Sequence, residues 1–193
     1  MDRHETRLIL DAAVAVFDFD GTLARFDLDW VELKADLSTI AAAAGHPDRF
    51  LTTFHPDLAE VRVAGGDELF LEICHTIGDR EFGGFRADTV DRDLVDLMRQ
   101  REQAGLPVAV FSANSRHGIE QCLLDLAFEG VKPFVIGRED VVQGKPAPEG
   151  LVTIAAHFDV QTCELVFIGD APDDVASAEA AGAQMIQVPK IGL

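Results

Sequence analysis

Two carboxylates spaced by one residue, Asp18 and Asp20, stand at the end of the apolar run Ala13–Phe17 and just before Gly21-Thr22. A buried strand cannot leave two acids uncompensated, because burying an unpaired charge is costly, so the pair calls for a cation. Two solvated acids before a glycine turn would read the same way in isolation. Three other segments add to the pattern. Val108–Phe111 runs into Ser112-Ala113-Asn114-Ser115, whose hydroxyl, amide and backbone donors suit a phosphate oxygen, although Ser and Asn also cap helices. Gly144-Lys145-Pro146 holds a lysine on a stiff turn, where an exposed surface role is the ordinary alternative. Leu165–Ile168 leads into Gly169-Asp170-Ala171-Pro172-Asp173-Asp174, a second acidic turn whose simplest use is to cap the next helix. Together they supply carboxylates for a hard cation, donors for phosphate oxygens and one fixed ammonium.

For these groups to meet, the strands must end at one edge of one sheet. Short apolar runs at Ala13–Phe17, Val108–Phe111, Phe134–Ile136, Leu165–Ile168 and Met185–Val188 predict five core strands, with the whole run from Leu8 to Phe17 read as strand. Amphipathic segments at Thr89–Ala104, Arg116–Phe128, Pro148–Phe158 and Asp173–Ala181 alternate with them. All-apolar strands alternating with helices predict an α/β fold, a doubly wound parallel sheet covered on both faces. The alternation fails between Phe26 and Gly84, where helical pieces at Asp29–Ala44 and Asp67–Ile77 are punctuated by Gly45-His46-Pro47, Gly65-Gly66 and Gly83-Gly84. This stretch is expected to be a helical cap, residues 26–84, inserted after the first strand of a core formed by 1–25 and 85–193. An insertion there would stand over the carboxyl ends of the strands, where such sheets bind ligands.

The formal charge of −18 opposes binding to nucleic acid or anionic membranes, and it repels a phosphorylated substrate unless a local positive site is built. No apolar stretch reaches the roughly 18 residues of a membrane span. Asp11 interrupts the N-terminal apolar run, and Asp18 and Asp20 follow where a cleavage site would need small residues, so the expectation is a cytoplasmic protein without a secretion signal. Cys74, Cys122 and Cys163 are odd in number and far apart, and indicate buried thiols rather than disulfides or zinc. The six histidines, His4, His46, His55, His75, His117 and His157, show no metal-like spacing.

The four strand-end segments, in this order and wording and followed by Ala180-Ala181-Gly182, resemble the four motifs of the haloacid dehalogenase superfamily, the phosphoglycolate phosphatase-like members with a small helical cap. The resemblance spans Asp18 to about Gly182, while the cap matches only in position and size. It implies a Mg²⁺-dependent phosphatase for a small phosphorylated metabolite. Asp18 would be the nucleophile and Asp20 the acid and base. The metal would be held by the Asp18 side chain, the Asp20 carbonyl and Asp170, with Asp174 in support. Ser112, Asn114 and Lys145 would hold the phosphoryl oxygens, with Thr22 in the surrounding cradle. A phosphomutase with the same core chemistry, or a silent binding module of the same fold, is the alternative. Arg25 departs from the family pattern, since an acid is usual there; it would either read a second anionic group on the substrate or form an ion pair with Asp27, Asp29 or Glu32.

Overall fold

The computed structural model describes residues 1–51 and 54–192, with the side chains of His55 and Pro56 outside the description. Five parallel strands form the central sheet: β1 (Val14–Phe17), β4 (Val108–Phe111), β5 (Phe134–Ile136), β6 (Leu165–Gly169) and β7 (Gln184–Gln187), in the order β5-β4-β1-β6-β7. β1 lies between β4 and β6, with Phe17 level with Val110 and Ile168. Every residue of β1, β4 and β6 is buried, as both-face coverage of a parallel sheet requires. One apolar cluster lies on each face, one around Phe17, Phe19, Met98 and Phe128 and the other around Val16, Phe111, Leu151 and Phe167.

The strand expectations hold to within a residue, except at the N-terminus. Leu8 to Asp11 belongs to the helix α1 (Arg3–Asp11), not to β1. Asp2 caps it, accepting from His4 N and Glu5 N, and the Glu5 carboxylate accepts from Asp2 N, a reciprocal capping box. The helices α4 (Arg92–Gln103), α6 (Glu149–His157) and α7 (Pro172–Ala181) fall where the amphipathic patterns place them. α5 is shorter than expected, Arg116–Cys122. Asp125 then accepts from Ala127 N and begins a separate 3₁₀ turn, Leu126–Phe128.

Between β1 and α4 the chain forms α2 (Trp30–Ala43) and α3 (His55–Gly83). Asp29 caps α2 through bonds from Val31 N and Glu32 N. α3 breaks at Gly66, whose φ of 77° a side chain would resist. The two helices enclose their own apolar cluster, including Leu33, Leu37, Phe50, Phe70 and Ile73. A two-stranded antiparallel ribbon, β2 (Arg25–Phe26) with β3 (Phe85–Arg86), joins the places where this stretch leaves and re-enters the sheet. Below it, Phe19 stacks on Phe26 and Phe128 at 5.4 and 5.8 Å between ring centroids.

Arg101, on α4, is 1% exposed and carries no carboxylate partner among the described residues. Its guanidinium donates to five backbone carbonyls instead: Ile9, Leu10, Ala12, Ala13 and Pro107. These include the last carbonyls of α1, which have no partner within the helix and carry its negative dipole end.

Candidate active site

β1 delivers Asp18 at its carboxyl end, 4% exposed and hydrogen-bonded through its own N–H to Ile168 O at 2.8 Å. The turn before α6 brings Lys145 against it. Lys145 Nζ donates to Asp18 Oδ1 at 2.7 Å and to Asp174 Oδ1 at 2.5 Å, with only 6% of the side chain exposed. The surface alternative for this lysine is thereby excluded. Burial alone would lower its pKa, but the facing Asp18 and Asp174 carboxylates reverse that and raise it. Asp18 is pushed up to about 6, mainly by burial and further by Asp174, against the opposing pull of Lys145. Burial also raises Asp20, although its Oδ1 accepts from Phe26 N at 3.1 Å.

Asp18, Asp170 and Asp174 present oxygens that all lie within 4.8 Å of one another. Lys145 contacts Asp18 and Asp174, and the half-exposed Lys190 stands 3.7 Å from Asp170, so three carboxylates still outnumber the two ammonium groups, and an all-oxygen donor set of this kind suits a hard divalent cation. Asp174 has a second duty, since its Oδ2 accepts from Ala171 N at 2.9 Å at the start of α7. The capping expected of this acidic turn therefore falls to Asp174, and Asp173 lines the open cavity. Gly21, at φ +92°, lets the turn pass beside Asp170; a Cβ there would come within 2.6 Å of its Oδ1.

Two expectations require correction. Thr22 does not face the cavity: its Oγ1 donates to Asp170 Oδ1 at 3.0 Å and its N–H bonds to Phe19 O, so both donors are used inside the turn. It orients a carboxylate rather than offering a donor to phosphate. Arg25 is not among the cavity-lining residues either, and its Nη1 donates to Gly192 O at 3.1 Å. The ion pair considered for it with Asp27 is made by Arg86, at 2.6 Å. The register of β2 turns Arg25 toward the C-terminal segment.

Ser112 and Asn114 do line the cavity, whose volume is about 610 Å³. Ser112 Oγ donates to Asn114 Oδ1 at 2.8 Å, and Asn114 Nδ2 donates to Glu81 Oε1 at 2.9 Å. Glu81, from α3, also accepts from Ser115 N at 2.8 Å and stands 3.6 Å from Arg138 Nη1. This buried carboxylate, raised in pKa mainly by its burial, ties the loop after β4 to α3. Removing it leaves an amide and a backbone N–H without their acceptor and the Arg138 guanidinium without its counter-charge. Glu81→Ala should therefore cost about 2–4 kcal/mol of stability and lower kcat/KM, as seen by thermal unfolding and single-substrate kinetics.

Arg138, Arg62, Trp30 and Phe54 also line the cavity, and sequence reasoning singled out none of them. For Arg138 a signal existed, because it follows β5 at the strand edge where the other groups gather. Glu81, Arg62, Trp30 and Phe54 lie in helices or loops of the insertion and have no local signature.

A family model for haloacid dehalogenase-like hydrolases matches residues 12–182. The chain belongs to that family. Among its relatives, the validoxylamine A 7'-phosphate phosphatase of Streptomyces hygroscopicus subsp. limoneus is 28% identical over 179 residues, 88% of this chain and 82% of that protein. The phosphoglycolate phosphatase of Pectobacterium atrosepticum is 28% identical over 111 residues, 54% of this chain and 47% of that protein. Solved structures of the same fold include a subfamily IA hydrolase from Geobacter sulfurreducens, with TM-score 0.51, 21% identity and coverage of 93% and 91% of the two chains. CbbY of Rhodobacter sphaeroides, solved in complex with xylulose-(1,5)bisphosphate, aligns with TM-score 0.57 at 20% identity over 92% and 86%. Among the described residues no helix is long and apolar enough to cross a membrane.

Proposed function

We propose that this protein hydrolyses a small phosphoric monoester, with Asp18 as nucleophile and Mg²⁺ as cofactor. The observation that carries the reading is the buried Asp18–Lys145 contact at 2.7 Å, in a cavity that Asp174 and Ser112 also line, with Asp170 grouped beside them. A carboxylate beside a fixed ammonium is both the attacking group and part of a cradle for phosphoryl charge. Relatives named as phosphatases support the same chemistry.

In the first half-reaction an Asp18 oxygen forms a bond to phosphorus while the ester P–O bond breaks, and Asp20 gives its proton to the departing oxygen. The raised pKa of Asp20 suits a group that must hold a proton before donating it. In the second, Asp20 takes a proton from water as the water oxygen bonds to phosphorus. The acyl phosphate P–O bond then breaks and Asp18 is restored. Lys145 holds the phosphoryl oxygens, Ser112 joins it when its hydroxyl turns from Asn114 Oδ1 toward the phosphate, Glu81 fixes Asn114 beside it, and Thr22 positions Asp170. Mg²⁺ held by Asp18, Asp170 and the Asp20 carbonyl, with Asp174 beside them, supplies positive charge for the phosphoryl oxygens. Residues 26–84 act as a cap over the core of 1–25 and 85–193.

The test is release of inorganic phosphate from a generic aryl phosphate and a panel of phosphorylated sugars, acids and nucleotides. Activity should fall to background in chelator and return with Mg²⁺. Full activity in chelator, or isomer formation without free phosphate, would overturn the reading.

The cavity also suggests which esters fit best. Arg138 Nη1 makes no hydrogen bond, with the Glu81 carboxylate facing it at 3.6 Å, and Arg62 stacks its guanidinium 4.6 Å from the centre of the Phe70 ring while donating to Val141 O. Two guanidinium groups on the cavity wall favour a substrate with a second anionic group. Arg138→Ala should raise KM about 10-fold or more for a doubly anionic ester and leave an uncharged aryl phosphate nearly unchanged. Arg25→Ala should alter neither. Equal KM effects of Arg138→Ala on both substrate types would assign Arg138 a structural role.

A further inference from the structure

A second group of metal-ligating side chains lies outside the catalytic cavity. His75 and Asp79, one turn apart on α3, meet His117 near the start of α5, and one donor atom from each lies within 4.8 Å of the others. None of the three lines the cavity. The imidazole rings of His75 and His117 stack at 3.8 Å between centroids with 30° between planes. His117 Nε2 stands 3.0 Å from Asp79 Oδ1. A hydrogen bond between His117 and Asp79 would need no second imidazole beside it. Two imidazoles and a carboxylate converging at the surface are the donor set of an open transition-metal site, and such nitrogen-rich sets select zinc-class ions over Mg²⁺.

We propose that His75, Asp79 and His117 bind one divalent transition-metal ion of the zinc class and that this ion clips α3 to α5. Tetrahedral Zn²⁺ with ligands at about 2.0–2.1 Å sets its donors roughly 3.4 Å apart. His117 Nε2 and Asp79 Oδ1, at 3.0 Å, are already within that spacing, and χ rotation of the exposed His75 side chain out of its stack on His117 would turn its nitrogen toward the same point. The backbones beneath are already fixed at close range. A Cβ on Gly78 would meet Gly118 N at 2.9 Å, and one on Gly118 would meet Gly78 O at 2.8 Å, so the helices cross in direct backbone contact beside the ligands. Such a platform lowers the ordering cost of binding. The negative charge of the protein favours cation approach. Glu81 follows Asp79 by two residues on α3, so a clip there would also hold Glu81 against Asn114 and Ser115.

The test is calorimetric titration of the full-length, Mg²⁺-saturated protein with ZnCl₂, compared with His75→Ala, His117→Ala and the double variant. His75→Gln and His117→Gln serve as replacements should an alanine variant fold poorly. The acidic triad at Asp18 is intact in all of them, so Zn²⁺ bound there remains in every isotherm and subtracts out. The expected result is one additional equivalent bound by wild type, weakened about 10-fold or more by either single substitution. Zn²⁺ should also raise the Tm of wild type and not that of the double variant. An isotherm of the double variant identical to wild type would overturn the site. Undiminished binding by His117→Ala or His117→Gln alone would overturn the clip, since the ion would then rest on α3 without α5.

Discussion

Asp18→Asn should abolish phosphate release, by on the order of 10⁴-fold or more, because the lost oxygen is the atom that bonds to phosphorus and no neighbour can replace it. The fold should survive. In the metal-free protein the Asp18 carboxyl sits at about 6, above its usual 3.8, mainly because burial disfavours the charged form. A raised carboxyl binds its proton more tightly folded than unfolded, so ionising it weakens the fold as pH rises through that interval. Above about pH 6 the neutral amide removes this penalty, and Asp174 remains to accept from Lys145. Thermal unfolding in chelator at pH 7 should therefore show Asp18→Asn no less stable than wild type. Near wild-type turnover by this variant would remove Asp18 as nucleophile.

Arg101→Ala should give the largest loss of stability, about 3–5 kcal/mol, with a fall in Tm of roughly 10 °C. Five carbonyls converge on this guanidinium from the end of α1, the start of β1 and the approach to β4. Arg101 is 1% exposed, so truncation opens a cavity and leaves the buried Ile9 carbonyl and four part-buried carbonyls without their donor. Arg101→Lys should recover little, since one ammonium cannot reproduce the planar fork. A Tm within 2–3 °C of wild type for the alanine variant would show that the carbonyls find other donors.

The five strands and the four groups at their ends were legible because each rests on a local signal: an apolar run, then a turn of distinctive chemistry. Asp18, Asp20, Ser112, Asn114 and Lys145 line one cavity, and Asp170 joins Asp18 and Asp174 beside it. Where the local signal was continuous, the boundary was lost. The apolar run across Leu8–Phe17 hides the change from α1 to β1, although Asp2 and Glu5 at capping-box spacing mark the helix start. Strands of two residues, β2 and β3, are too short to show alternation. Contacts between distant segments leave no trace in spacing: Glu81 with Asn114, and His75 with His117, are brought together only by the packing of α3 on α5. Arg25 shows the converse, a residue near the catalytic strand in sequence that the ribbon register turns to Gly192.

That ribbon has a consequence for how the protein could be re-engineered. Arg25 pairs with Arg86 and Phe26 with Phe85, so the long excursion through α2 and α3 begins and ends at neighbouring points of one hairpin. Closure of such a loop depends only weakly on its length, about 0.6 kcal/mol per doubling. The excursion is thus a graft site: a longer, shorter or unrelated segment could be spliced between Phe26 and Phe85 without moving the catalytic strands. What a shortened graft would forfeit is Glu81, Arg62 and the backbone contact of Gly78 with Gly118, so the bare sheet would keep Asp18 and Arg138 and lose the wall that encloses them.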